Sequence, residues 1–454
     1  MRVTSGTAGL AVAALALLAS PLATQAAEAP KAQPSPAMVG YVNEPLPPGI
    51  QVTFNEREGA IFADASGHTL YSWPFRALRL GQVGDHIGRS ACTDLKLTET
   101  GGFMEPYPPG LILPNVEHRP TCVQAWPPVL AADDAKPVGG WSIITRDDKK
   151  KQWAYRGQAV YTSYLDRELG DVLGASKSGG GRHTGRGPVG PAANLPPGFA
   201  LVSSVTGGML ASEGRSVYVW DKDGANKSRC TGECLEQWKP ILAPLLSEAR
   251  GEFSVFEREP GIKQWAFRGK PVYTYADDPK GGGATFDGAE VPGWRNSYTY
   301  QTPSPPKEFK FQDTTTGVVI ADHRGKTVYT YGCAEDTEDQ LGCDTPDTPQ
   351  EYRLAICGAG DPARCLTQFP YVPAAKGAKS ESRLWNAMLI NPMTGRVAPE
   401  GQKGAMYVWA FRGRPVYTFA GDREPGDMFA AGWGEIQGSR NGFTALVMQD
   451  YFMR

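Results

Sequence analysis

At 454 residues the chain is long enough for roughly two to four ordinary domains. Its 54 Gly, 38 Pro and 10% aromatic content describe a folded, turn-rich β protein rather than a helical or disordered one. The formal net charge of -2 gives no reason to expect nucleic acid or an acidic membrane surface as partner.

The chain opens with Arg2 and the apolar run AGLAVAALALLASPLA, followed by the small residues of TQAAEA. This pattern predicts a secretory signal peptide over residues 1–26, cleaved near Ala26, on a chain destined for the periplasm or for secretion. A lone Arg2 points to the general export route, and no Cys follows the apolar run, so no lipid anchor is expected. No later segment has the length and apolarity of a transmembrane helix. Residues 27–45 read as a flexible leader.

The body of the chain is repetitive, and the repeat has to be settled before any single motif. QWAYRGQAVYT (Gln152 to Thr162) returns as QWAFRGKPVYT (Gln264 to Thr274) and as VWAFRGRPVYT (Val408 to Thr418). Each copy is preceded by a partner block: ADASGHTLYSW ending at Trp73, LASEGRSVYVW ending at Trp220, and ADHRGKTVYTY ending at Tyr331. LPPG at Leu46 and at Leu195, and PPKEFKF at Pro305, punctuate the starts. Gly-rich and Pro-rich runs at Ser176 to Gly190 and Thr302 to Pro306 separate the units. The expected organisation is three units, residues 46–190, 191–303 and 304–454, each of two half-repeats.

Period-2 alternation makes these blocks strands. Val217 and Val219 fall on one strand face, Tyr218 and Trp220 on the other. Trp265 and Phe267 lead into a turn at Arg268-Gly269, where Gly269 supplies positive φ, and Tyr273 and Tyr275 follow on the return strand. Pro271 reads as that strand's first residue. The expected fold is all-β, with two antiparallel β-meander half-repeats per unit. Strands apolar on both faces leave two arrangements open: units stacked like propeller blades, or three small β domains.

The eight cysteines follow the repeat. Gapless alignment of CVQAWPPVLA, CLEQWKPILA and CLTQFPYVPA predicts the disulfides Cys92–Cys122, Cys230–Cys234 and Cys357–Cys365, leaving Cys333–Cys343 as a fourth pair. Spacings from three to 29 intervening residues do not suit a thiolate metal site.

The recurring Tyr-x-aromatic with Asp three residues later, together with C-x-G-x-C and W-x-P, resembles the secreted repeat family described by its Yx(FWY)xxD motif, whose members are often described as predicted lipoproteins. The second unit matches most fully, with Tyr218, Trp220 and Asp223, then Cys230 and Cys234, then Tyr273, Tyr275 and Asp278. The third carries Tyr329 and Tyr331, then Tyr417, Phe419 and Asp422, followed by PGD. The first carries Tyr71 and Trp73, then Tyr161 and Asp166. Departures are Arg76 and Ala334 where Asp is called for, and Ser163 where an aromatic is. The resemblance implies an envelope or secreted location and brings no settled biochemical activity.

The motif Asp residues follow strands that end in turns, where a carboxylate caps local backbone N–H groups; metal ligation or acid/base chemistry is the rival reading. The five histidines (His68, His86, His118, His183 and His323) share no metal-binding spacing, and no G-x-S-x-G elbow stands in a strand-to-helix context. Gly runs near Gly179 and Gly281 read as loops. Trp153, Trp265 and Trp409 form either an aromatic ladder in the core or the lining of a ligand groove. The sequence therefore points to a non-catalytic exported binding or scaffold protein of the cell envelope, with no cofactor or metal and with an unknown ligand or envelope protein as partner. The alternatives are a carboxylate-dependent, glycan-directed enzyme using residues such as Asp278 and Asp422, and an envelope redox or metal accessory protein.

Overall fold

The computed structural model describes residues 40–56, 58–72, 88–90, 92, 94, 121–166, 168–174, 187–204, 207–278, 291–314, 317–333, 350–434 and 441–446. The predicted signal peptide and most of the leader, the Gly runs near Gly179 and Gly281, Trp73, Arg76, Ala334, the Cys333 side chain and Cys343, His86, His118 and His183 lie outside the described residues. The end of the run read as a linker is ordered instead: Gly187–Pro188 pairs with Tyr71–Ser72 and Val189 is buried in the core.

The fold is mostly β, built from several antiparallel sheets. One strand order recurs three times. In the first sheet Trp141–Thr145, Lys151–Tyr155, Gln158–Tyr161, Tyr71–Ser72 and Gly187–Pro188 lie side by side. In the second the series is Phe253–Glu259, Ile262–Phe267, Lys270–Tyr275, Tyr218–Trp220 and Trp294–Asn296. In the third it is Trp385–Ile390, Met406–Phe411, Arg414–Tyr417, Tyr329–Cys333 and Asn441–Ala445. A two-stranded hairpin precedes each: Ile50–Asn55 with Gly59–Asp64, Phe199–Ser204 with Gly207–Ser212, and Phe309–Thr314 with Gly317–Asp322.

The alternation seen in the sequence sorts side chains into two cores per sheet. Tyr218 and Tyr273 enter a cluster with Cys230, Trp238 and Trp294, while Val217 and Val272 on the opposite face pack with Leu210, Phe253 and Trp265. Tyr71 and Tyr161 are set against Leu70 and Val160 in the same way, and Tyr329 and Tyr417 against Val328 and Val416. Burial on both faces is why these strands carry few polar residues. Trp153, Trp265 and Trp409 are all buried in these cores, so none lines an open groove.

The repeated Arg-Gly pair makes the tight turn. Phe267 pairs with Lys270 across a two-residue loop in which Arg268 has φ 48° and Gly269 φ 74°. The same signs occur at Arg156-Gly157 and Arg412-Gly413, and two successive positive φ values match the right-handed twist of the strands they join. Pro271 is the second residue of its strand rather than the first, opposite Ala266. Space around a Cβ at Gly269 is open, so the obstacle there is conformational. Gly269→Val should therefore cost about 2 kcal/mol, the left-handed penalty for an L residue raised by β-branching. An unchanged thermal midpoint for that variant would contradict the turn.

Two short helices begin at a repeat cysteine, Cys122–Ala125 and Cys234–Gln237. The third unit is more helical here, with Glu351–Gly358 and Pro362–Gln368, the latter opened by Asp361, whose side chain accepts from Ala363 N. Disulfides join Cys92 to Cys122, Cys230 to Cys234 and Cys357 to Cys365, with Cα separations of 5.4, 5.3 and 4.7 Å. Neighbouring units touch: Arg412 Nη2 donates to Val172 O at 3.0 Å, Ser382 Oγ to Glu56 at 2.6 Å, and the Phe54 and Tyr300 rings meet edge to face at 5.5 Å.

Candidate functional site

The motif residues converge in pairs, and each pair crosses between half-repeats. Tyr71 Oη donates to Asp166 Oδ2 at 2.8 Å, Tyr218 Oη to Asp278 Oδ2 at 2.8 Å, and Tyr329 Oη to Asp422 Oδ2 at 2.7 Å. Each tyrosine comes from the first half-repeat and each aspartate from the second, 60 to 95 residues away in sequence. The second unit adds the reciprocal bond, from Tyr273 Oη to Asp223 Oδ2 at 2.7 Å. All four carboxylates are buried, Asp422 completely.

Backbone donors occupy other positions on the carboxylates. Leu173 N reaches Asp166 Oδ1 at 2.9 Å, and Phe429 N reaches Asp422 Oδ1 at 3.0 Å, both seven residues downstream. Arg229 N reaches Asp223 Oδ1 at 2.7 Å. The carboxylate thus ties down the loop that leaves its own strand and grips the neighbouring half-repeat. It is a latch between two pieces of backbone and a phenol. Burial pushes the Asp166 carboxyl up to about 7, against the opposing pull of its Tyr71 and backbone donors. Burial likewise raises Asp223 and Asp422. The phenols move up as well, Tyr71 and Tyr329 well above the ordinary tyrosine range, through burial and the adjacent carboxylate.

Among the described residues the reciprocal bond is seen in the second unit; in sequence Arg76 and Ala334 correspond to Asp223, and both lie outside the described residues. Tyr161 Oη pairs with Ser90 Oγ at 2.8 Å. Ser228, the counterpart of Ser90, lies 2.7 Å from Tyr273 Oη. In the third unit the Arg353 guanidinium sits 5.8 Å from the Tyr417 ring centre.

Sequence reasoning missed a second constellation. Arg146 Nη1 donates to Ser90 Oγ and to Gln152 Oε1, and its Nη2 to Cys92 O. In the second unit Arg258 repeats this with Ser228, Gln264 and Cys230 O. Gln152 and Gln264 complete the network by donating to Val160 O and Val272 O across the hairpin. Strand register puts Ile390 where the arginine would be and Val408 where the glutamine would be in the third unit. There Arg353, 1% exposed on its helix, brings a guanidinium to the disulfide instead, 3.2 Å from Cys365 Sγ. The joint change of Gln and Arg was the available signal. These networks brace the cysteine loops against the sheets.

Among the described residues, no group of three or more His, Cys, Asp or Glu converges as a metal site would require. No helix among them is long and apolar enough to cross a membrane. A cavity of about 450 Å³ lies beside Cys92 in the first unit, lined by Ser90, Arg146, Asp148, Pro128 and Leu130 among others. A second of about 70 Å³ lies between Pro303 and Trp385. No motif aspartate lines either.

No curated protein and no solved structure matches the chain. Residues 203–241 and 254–291 match the model of a family described as a secreted repeat of unknown function. The first segment holds Tyr218 and Asp223, the second Tyr273 and Asp278, so both latches of the second unit bind one copy to the other. The two segments that match this repeat model within residues 203–291 are interlocked tyrosine to aspartate.

Proposed function

We propose that this chain is an exported, non-catalytic binding or scaffold protein of the cell envelope. It is released near Ala26 by signal cleavage and is organised as units over residues 46–190, 191–303 and 304–454. The match to a secreted repeat and the three disulfides fit an exported protein. The observation that carries the non-catalytic reading is the engagement of the motif carboxylates. Each is buried and takes a tyrosine hydroxyl, so it faces protein donors rather than a cavity. A catalytic carboxylate needs reach to a substrate proton or carbon, and these are spent on the fold. Asp278 and Asp422 also belong to the latches of different units rather than to one pair.

Asp278→Asn tests this. The variant should melt earlier than the parent, and neither protein should release reducing ends from a panel of envelope polysaccharides. Release by the parent, abolished in Asp278→Asn with an unchanged melting curve, would overturn the reading.

A further inference from the structure

Three indole rings lie nearly parallel in the second unit. Trp238 and Trp294 stack with centroids 3.7 Å apart and planes 2° from parallel, and Trp294 stacks on Trp220 at 5.1 Å and 7°. Trp238 and Trp294 are buried, whereas Trp220 is partly exposed, with Lys222 Nζ 5.2 Å from its ring centre. Tyr273 meets the middle ring, Trp294, edge to face at 5.0 Å, and Tyr218 meets Trp238 at 5.2 Å. Both phenols are latch tyrosines with a carboxylate oxygen at 2.7 to 2.8 Å.

The third unit shows what packing alone requires. Phe369 and Phe443 occupy the places of Trp238 and Trp294 and stack at 3.8 Å and 12°. Tyr331 takes the place of Trp220 and is 1% exposed. Phenylalanine therefore satisfies this geometry, but it does not give up an electron under conditions that oxidise indole. The second unit has oxidisable rings at all three positions, one of them reaching solvent.

We propose that the second unit carries a one-electron relay from Trp220 at the surface, through Trp294, to the buried Tyr273, with Asp223 as the proton acceptor. A radical oxidant such as the azide, carbonate or nitrogen dioxide radical takes one electron from Trp220 and leaves as its anion. An electron then passes from Tyr273 through Trp294 to Trp220, which is restored. The phenolic proton moves to Asp223, giving a neutral tyrosyl radical and a carboxylic acid. A phenol that can pass its proton to a carboxylate gives up an electron more readily than an indole does, so the hole runs inward. A one-electron donor such as ascorbate resets the site, the proton returning from Asp223 to the phenolate oxygen. The relay moves oxidising equivalents off a surface indole before it reacts irreversibly with oxygen.

Pulse radiolysis of the full-length protein with azide radical tests this, following indolyl decay and tyrosyl growth together. The parent protein should show indolyl decay matched by tyrosyl growth, at a rate independent of protein concentration and slower in deuterium oxide. Trp294→Phe, whose packing the third unit already contains, should lose the matched phase, and Asp223→Asn should slow it. Trp220→Phe gives the same reading from the surface end; among the described residues the other indole open to the oxidant is Trp433, which is 40% exposed and packs on Phe369 and Phe419. A matched phase unchanged in both tryptophan variants would overturn the proposal. So would tyrosyl growth whose rate rises with protein concentration, since that marks transfer between molecules.

Discussion

Asp422→Ala should lower the stability of the protein by about 3 kcal/mol, read as a shift of the urea midpoint at unchanged slope. The substitution removes the acceptor of Tyr329 Oη and of Phe429 N in a site with no exposure to water. The buried Tyr329 hydroxyl and the part-buried Phe429 N–H then lose their partner, and a buried loss of this kind costs about 1 to 3 kcal/mol. Asp422→Asn should cost less, because its amide oxygen still accepts one of the two bonds. A midpoint that does not move for the alanine variant would mean that the latch contributes nothing.

Removing the Cys92–Cys122 disulfide should cost about 3 to 4 kcal/mol, against about 2 kcal/mol for Cys230–Cys234. The difference follows from loop length: the first bond spans a sequence separation of 30 and the second of 4, so the first restricts the unfolded chain more. Arg146 and Arg258 brace equivalent carbonyls of the two cysteine loops, Cys92 O and Cys230 O, so native contacts near the two bonds are similar. Melting of the paired Cys→Ala variants ranks the two bonds. Equal losses would contradict the loop-length account, and non-reducing peptide maps check the pairing.

Much of the sheet architecture was legible in the sequence because its determinants are local. Alternation assigned Tyr218 and Val217 to opposite faces, and the structure sends them to different cores. The Arg-Gly pair announced its turn through Gly269, although the positive φ of Arg268 itself was not foreseen. The aspartates were harder. Reading Asp166 or Asp422 as a cap on nearby backbone captures the bonds from Leu173 N and Phe429 N but misses the tyrosine, which stands more than ninety residues away. A motif written as tyrosine followed by aspartate suggests that the two meet. In the fold the tyrosine of one block meets the aspartate of the other, and strand order alone decides that. The arginine–glutamine networks escaped for a similar reason, since Arg146 and Gln152 lie close in sequence but outside the motif, and their meaning emerges only when Ile390 and Val408 are placed in register with them.

A double-mutant cycle on Tyr329 and Asp422 tests most directly whether the motif is a latch between half-repeats. Tyr329→Phe, Asp422→Ala and the double variant differ from the parent by the hydroxyl, the carboxylate or both. The account predicts a coupling of about 1.5 kcal/mol, with the double variant losing less stability than the sum of the single changes. Losses that add to within about 0.5 kcal/mol would show that hydroxyl and carboxylate act independently, and would contradict the latch.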